Sequence, residues 1–576
     1  MHDLVIRNGT LVDGTGAAAC AGDLAVDGDR IVQVGGRAGA GRTEIDAEGR
    51  IVAPGWVDIH THYDGPALWD PQLKPSGQHG VTTVVMGNCG VGFAPVRAAD
   101  RERLICLMEG VEDIPAATMR AGLDWNWESF PEYLDALERA PCVADTVAQI
   151  PHSALRMYVM GERGRDRKAE ATEDDMRRTA QLVEEALRAG ALGFSTSRTK
   201  RHHGADGGHV PGSFAREEEL FAIGAAMARA GHGVFQMVGD FARPEHDFEW
   251  MTRLSHQYGV PMHYILMQFP EERLKYRELL AHTAQANAAG ADISALVACR
   301  TFGMIFSLDS EKHPFWSHPS YQAIAGQPLA ERVRTLRDPQ FRRRLLAEAP
   351  TSDDAFWREY LCKFDGMFRL GDPPEYEPPA ERSVAALASA QGCTPWELMY
   401  DMLLEQDGQA MIYFPFFNYV DRNMDTLLEM MRDPHGLLSL ADGGAHCAIT
   451  CDASMPTYLL SHWTRDRTRG EKLGLEEAVH LQTGRTAAAY RLHDRGRLAP
   501  GLKADINVID LQRLRLEPTR WVQDLPAAGR RLLQFAQGYD ATVVNGVITV
   551  RDDQLTGALP GKLVRGPRAA GVMTAR

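Results

Sequence analysis

Ile51-Val-Ala-Pro-Gly-Trp-Val-Asp-Ile-His-Thr-His62 is an apolar stretch that ends in two histidines one residue apart. In a β-strand residues i and i+2 point to the same face, so His60 and His62 converge on one spot. Two imidazoles meeting where a strand runs into a loop form half of a divalent-metal site. Alone, a His-x-His pair reads equally well as two residues on a solvated strand face. Its surroundings favour the metal reading. Pro54-Gly55 sets the preceding turn, Val57 and Ile59 face the other way into a core, and Asp58 lies beside the pair. Further on, a second apolar strand, Val81-Thr-Thr-Val-Val-Met86, runs into Gly87-Asn-Cys-Gly90 and carries Cys89 to its end. Far downstream, Leu437-Leu-Ser-Leu-Ala-Asp442-Gly-Gly is a third strand that ends in a carboxylate.

Those three strand ends, in that order, resemble the amidohydrolase superfamily and, within it, the N-acyl-D-amino-acid deacylases. Residues 3–16 and 496–510 resemble the family's opening and closing strands, so the likeness spans most of the chain. The resemblance implies an α/β fold, a (β/α)8 TIM-type barrel with a small β-sandwich domain built from both termini. It also implies a site in which His60, His62 and Asp442 bind metal, with Cys89 of the Gly-Asn-Cys-Gly turn as a further ligand. In such barrels the reactive groups sit at the C-terminal strand ends, where all four fall. A Zn²⁺ there polarises a carbonyl and lowers the pKa of water toward about 7. Asp442, touching both metal and water, is the candidate catalytic base; otherwise it is a turn residue. Cys89 otherwise reads as a small buried hydrophobe.

Departures from the family pattern sharpen the reading. Relatives carry further histidine ligands on barrel strands 5 and 6. Here those positions read as Val238 and as Leu266 or Met267. His263 sits about three residues early, and an odd offset turns it to the opposite face. One zinc per chain is therefore expected. The family's carboxylate-binding arginine is also missing: Met455-Pro-Thr-Tyr458 has Thr457 in its place. Arg198 and Arg300, right after strands 4 and 7, are the positioned substitutes. His202, in the histidine-rich loop Lys200–His209, and His152, at the end of strand 3, complete the candidate substrate-binding set. His202, His203, His209 and His446 are alternative ligands should a second metal bind.

Around these motifs the texture gives the organisation. Residues 1–55 are short strands between Gly and Asp turns, the first part of the β-sandwich. Residues 56–490 alternate apolar strands with amphipathic helices, as in helix 173–189 behind the Thr172–Asp175 capping box. An insertion at about 300–395 breaks the rhythm with Pro pairs and phenylalanines and looks placed to cover the barrel mouth. The rhythm resumes with a helix at 396–406, a strand at 409–416 and a helix at 475–490. Residues 491–576 return to β texture as the second part of the sandwich.

Lys and Arg total 62 against 77 acidic residues, a net charge of −15. Without a basic stripe, nucleic acid is not an expected partner. No apolar run reaches the roughly 20 residues that span a bilayer, so no membrane association is expected. The first residues lack a signal-peptide layout, and nine cysteines without framework spacing suit a reducing cytoplasm. A homo-oligomer is left open. The leading expectation is hydrolysis of a small acylated amine, an N-acyl-D-amino acid above all. The alternatives are a cyclic amide or imide hydrolase with the same chemistry, and a non-catalytic barrel that has lost its second-metal ligands.

Overall fold

Strands buried on both faces read as near-continuous apolar runs, and Val81–Met86, with all six residues buried, is of that kind. The computed structural model describes residues 1–352 and 360–567. Eight such strands make a parallel sheet: β1 (Trp56–Asp58), β2 (Val81–Met86), β3 (Asp145–Pro151), β4 (Gly193–Arg198), β5 (Val234–Gly239), β6 (Met262–Ile265), β7 (Ile293–Val297) and β8 (Gly436–Leu438). Each pairs with the next in chain order. The sheet closes just beyond β1 and β8, through a parallel bridge between Thr61 and Gly443. There His62 N donates to Gly443 O at 2.8 Å and Asp442 N to His60 O at 3.2 Å. Closure itself thus sets the histidine pair beside the distant aspartate.

Helices cover the outside. Glu173–Ala189 begins at the reciprocal Thr172–Asp175 capping box and stops at Gly190, whose φ of 118° only glycine adopts readily. The single helix expected at 475–490 is two, Leu475–Gln482 and Gly484–Ala489. Thr483 between them leaves helical geometry at φ −131°, ψ −81°.

Strands from both chain ends share one nine-stranded sheet. Ile51–Pro54 lies against Ile506–Ile509, and Leu4, Ile6, Leu24, Val52, Val508 and Val543 pack in its core. The first strand, His2–Leu11, splits the sheet: its start pairs with Gly41–Asp46 and its end with Ile51–Pro54. Within the C-terminal segment the hairpin Arg520–Leu525 with Gly529–Leu533 leaves this sheet for the barrel. Arg531 reaches Asp70 at 2.7 Å, and Leu532 N donates to Cys447 O at 2.7 Å.

Phe302–Phe306, Phe368–Arg369 and Ile412–Phe417 form a separate antiparallel sheet with its own apolar core. The strand expected at 409–416 therefore belongs with the inserted region and does not continue the barrel rhythm. Residues 353–359 of the expected insertion, and 568–576 of the expected C-terminal part, lie outside the described residues. Glu377 ties the inserted region down. Its carboxylate accepts from Arg467 at 3.1 Å and faces His462 Nε2 at 2.9 Å. Among the described residues no helix is long and apolar enough to cross a membrane.

Candidate metal centre

His60 and His62 are each 1% exposed, on the floor of a cavity of about 550 Å³. Cys89 Sγ stands 3.4 Å from His60 Nε2. Asp442 Oδ1 stands 3.4 Å from His60 Nε2 and 3.7 Å from His62 Nε2. Ligand atoms about 2.0–2.3 Å from one tetrahedral ion lie roughly 3.3–3.7 Å apart, which these separations match. Asp442 Oδ1 is buried without a hydrogen-bond donor. Burial is the largest force against every charged form here: with neighbouring histidines adding, it holds His60 down to about 3 and His62 well below the usual imidazole range. It pushes the Cys89 thiol and the Asp442 carboxyl well up, with Glu112 adding to both. A divalent cation supplies the missing counter-charge, because neutral imidazoles keep a free lone pair and a coordinated thiol or carboxyl loses its proton. His60, His62 and Cys89 offer ligand atoms all within 4.8 Å of one another, and Asp442 stands beside the two histidines, so the residues fit a metal ion.

The local backbone is bent to this purpose. Cys89, Leu440, Asp442 and His446 all take positive φ, between 46° and 67°. Strained residues of this kind cluster at functional sites. Gly90 (φ 73°) admits no substitute, since a Cβ there would lie 2.5 Å from Ser197 N. Behind His62, Glu112 presents Oε1 at 3.3 Å from Nδ1. Neither atom has a hydrogen-bond partner among the described residues, and burial, with Asp64 adding, pushes the Glu112 carboxyl well up; a carboxylate so placed would orient a ligand histidine once it bonds the ring. The sequence reading missed Glu112, although its signal was present: an acid on the apolar face of helix Arg101–Glu112, beside Leu104, Met108 and Val111.

Of the sequence candidates, the structure brings His60, His62, Cys89, Asp442 and His202 to the cavity, and His446 with them. It does not bring Arg198, Arg300 or His152. Arg198 ends β4 on the face that also carries Phe194 and Thr196. That face looks out to the helices, so its guanidinium donates to Ala215 O at 2.8 Å and lies over Trp250. Arg300 is 1% exposed and spent on Asp452 (2.7 Å), Ser454 (2.8 Å) and the face of Tyr376. His152 is held between Thr196 Oγ1 at 2.8 Å and Glu219 Oε1 at 3.0 Å, behind the barrel wall. The expected orientation of His263 is also corrected. Tyr264 bonds Thr283 on the outer helix Lys275–Ala288, so alternation turns His263 inward, onto the ring of Tyr490. It shares the face of Ile265 and Met267, which line the cavity, and lies a layer deeper. Val238 lines the cavity as well, leaving the strand-5 and strand-6 positions apolar. Thr457 points into the protein, bonded to His79 (2.7 Å) and Tyr539 (3.0 Å). The inserted region supplies much of the rest of the wall: Phe302, Met304, Tyr360, Phe416 and Phe417.

The Amidohydrolase family pattern matches residues 43–550. D-aminoacylase of Alcaligenes xylosoxydans xylosoxydans is 27% identical over 572 residues, 98% of this chain and 97% of that one. Among solved structures, a D-aminoacylase described for its binuclear metal centre aligns over 98% of this chain and 100% of its own at 23% identity, with a TM-score of 0.63. N-acyl-D-glutamate deacylase from Bordetella bronchiseptica, solved with zinc and a phosphonate inhibitor, aligns to the same extent at 22% identity, also with a TM-score of 0.63. At these identities the solved structures speak to the fold, a barrel with a terminal β domain. The chain belongs to the amidohydrolase family and is a metal-dependent hydrolase of carbon–nitrogen bonds other than peptide bonds.

Proposed function

We propose that this chain hydrolyses N-acyl-D-amino acids to a carboxylate and a free D-amino acid, with one Zn²⁺ held by His60, His62, Asp442 and Cys89. The observation that carries the reading is the gathering of His60, His62 and Cys89, with Asp442 beside the two histidines, on the floor of a cavity large enough for a small ligand. Full-length likeness to a D-aminoacylase supports the substrate class and its stereochemistry. A divalent ion in this donor set supplies carbonyl polarisation and a more acidic water. Asp442 takes the proton from the attacking water as its oxygen bonds to the acyl carbon. As the C–N bond breaks, Asp442 returns that proton to the departing nitrogen. Glu112 keeps the His62 ring in place, and the apolar wall limits the water around the acyl group. His202 and His446, both half-buried and pushed down to about 4 chiefly by desolvation, line the cavity as neutral hydrogen-bonding groups.

The test is a hydrolysis screen with zinc-loaded protein over matched N-acetyl D- and L-amino acids, with hydantoins as cyclic competitors. Turnover confined to the D-amino acids is the expected result. Turnover of the cyclic amides alone would replace the substrate class, and turnover of nothing by fully loaded protein would overturn the reading.

A further inference from the structure

Among the described residues, the charged groups lining the cavity are acids, histidines and a single fixed cation, Arg201. The acids of the upper wall are already engaged. Asp240 accepts from Thr199 Oγ1 and from Lys200 N at 2.9 Å, Asp113 accepts from Ala448 N at 2.9 Å, and Asp452 holds Arg300. Arg201 differs from all of them. Its backbone is fixed, with N donating to Thr199 Oγ1 at 3.0 Å, and its guanidinium lies 4.3 Å over the ring of Phe269. It makes no ion pair among the described residues. The side chain is exposed and its guanidinium N–H groups have no hydrogen-bond partner among the described residues, so they can take a carboxylate through two parallel hydrogen bonds.

From this we infer that Arg201 anchors the substrate's carboxylate, a proposal that rests on the N-acyl-amino-acid reading above. Among the described lining residues Arg201 is the one Lys or Arg side chain, so it is the fixed cation placed to pair with a carboxylate. Phe269 beneath Arg201 packs on Phe417 at 4.9 Å between ring centres. The group next to the carboxylate therefore meets aromatic rings, and an amino acid with an apolar side chain fits. A second carboxylate, as in an acylated glutamate, would find Asp240 and no second cation.

The experiment uses equilibrium binding, so it does not depend on turnover. N-methanesulfonyl-D-phenylalanine, whose sulfonamide replaces the scissile amide, and its carboxamide are titrated calorimetrically into zinc-loaded wild type, Arg201→Met and Arg201→Lys. Wild type should bind the acid at least about tenfold more tightly than the carboxamide, the worth of a charge-assisted pair. Arg201→Met should abolish that preference with carboxamide affinity and zinc content unchanged, and Arg201→Lys should keep part of it. The sulfonyl derivative of D-glutamate should bind more weakly than that of D-phenylalanine. Equal wild-type affinities for acid and carboxamide, no binding of either, or a preference that survives in Arg201→Met would overturn the assignment. Wild type that shows the preference yet cleaves no N-acyl amino acid would sink the proposed reaction and leave the anchor standing.

Discussion

On the floor of the cavity, four donor side chains come from the ends of β1, β2 and β8, and barrel hydrogen bonds hold those ends in register. Across the opening, the wall comes from a sheet whose strands Phe302–Phe306 and Ile412–Phe417 are far apart in sequence and joined to the barrel through Glu377 and through backbone bonds such as Ile305 N to Ile449 O at 2.8 Å. The floor is polar, bent into positive φ and fixed by the backbone. The wall is mostly apolar and belongs to a sheet of the inserted region, outside the barrel. A floor of the first kind suits chemistry, which needs ligand atoms held within a few tenths of an ångström. A wall of the second kind suits choice among substrates, because its residues can change without disturbing the barrel.

The sharpest way to break this comparison is at Asp442. Asp442→Asn keeps the shape and part of the metal affinity but cannot accept a proton. It should lose about 10²–10⁴-fold in kcat, read by steady-state kinetics at matched zinc content. Near wild-type kcat would leave Asp442 a turn residue. Glu112→Gln should cost less, about 10–100-fold in metal affinity or activity, because Glu112 stands 3.3 Å from the outer nitrogen of His62 and is not itself one of the proposed ligands. Competition with a chelator measures it, and unchanged zinc affinity would remove Glu112 from the floor's machinery.

Arg300→Met probes the barrel beneath the wall. Breaking its buried pair with Asp452 should destabilise the fold by about 3–5 kcal/mol in denaturant unfolding. Turnover per folded molecule should hold, and a selective loss of kcat/KM would restore Arg300 as a substrate group. The smallest effect at neutral pH concerns Glu377. Burial raises its pKa, but hydrogen bonds from His462, Arg467 and Met424 N outweigh that and hold it at about 2, below the usual 4.5. A folded value below the unfolded one contributes stability above about pH 4.5, and that stability is lost as pH falls toward 2. The tie of wall to barrel should weaken in that window, and Glu377→Gln should lose the dependence in acid-unfolding curves.

Much of the floor was legible because its residues stand next to punctuation. His60 and His62 follow Pro54-Gly55, Cys89 lies between two glycines, and Asp442 precedes two more. The barrel order followed from strand and helix periods. What escaped was governed by direction and by distant partners. Arg198 and Arg201 are three residues apart, and strand parity sends one to the helices while the Thr199–Asp240 turn brings the other back to the mouth. Arg300 is claimed by Asp452 and Ser454, which no local pattern connects to it. His263 was given the wrong face because the reference position on β6 was taken one residue off: Met267 lines the cavity. A single slip in a period of two inverts every side chain.

The central claim is that one ion sits among His60, His62, Cys89 and Asp442, with Val238 and Met267 closing the positions a second would need. Elemental analysis of purified wild type, beside His60→Ala and His62→Ala, tests it most directly. The account predicts one equivalent of zinc per wild-type chain and almost none in either variant, with hydrolysis lost in both. A reproducible two equivalents in wild type, or a full equivalent retained in either variant, would contradict it.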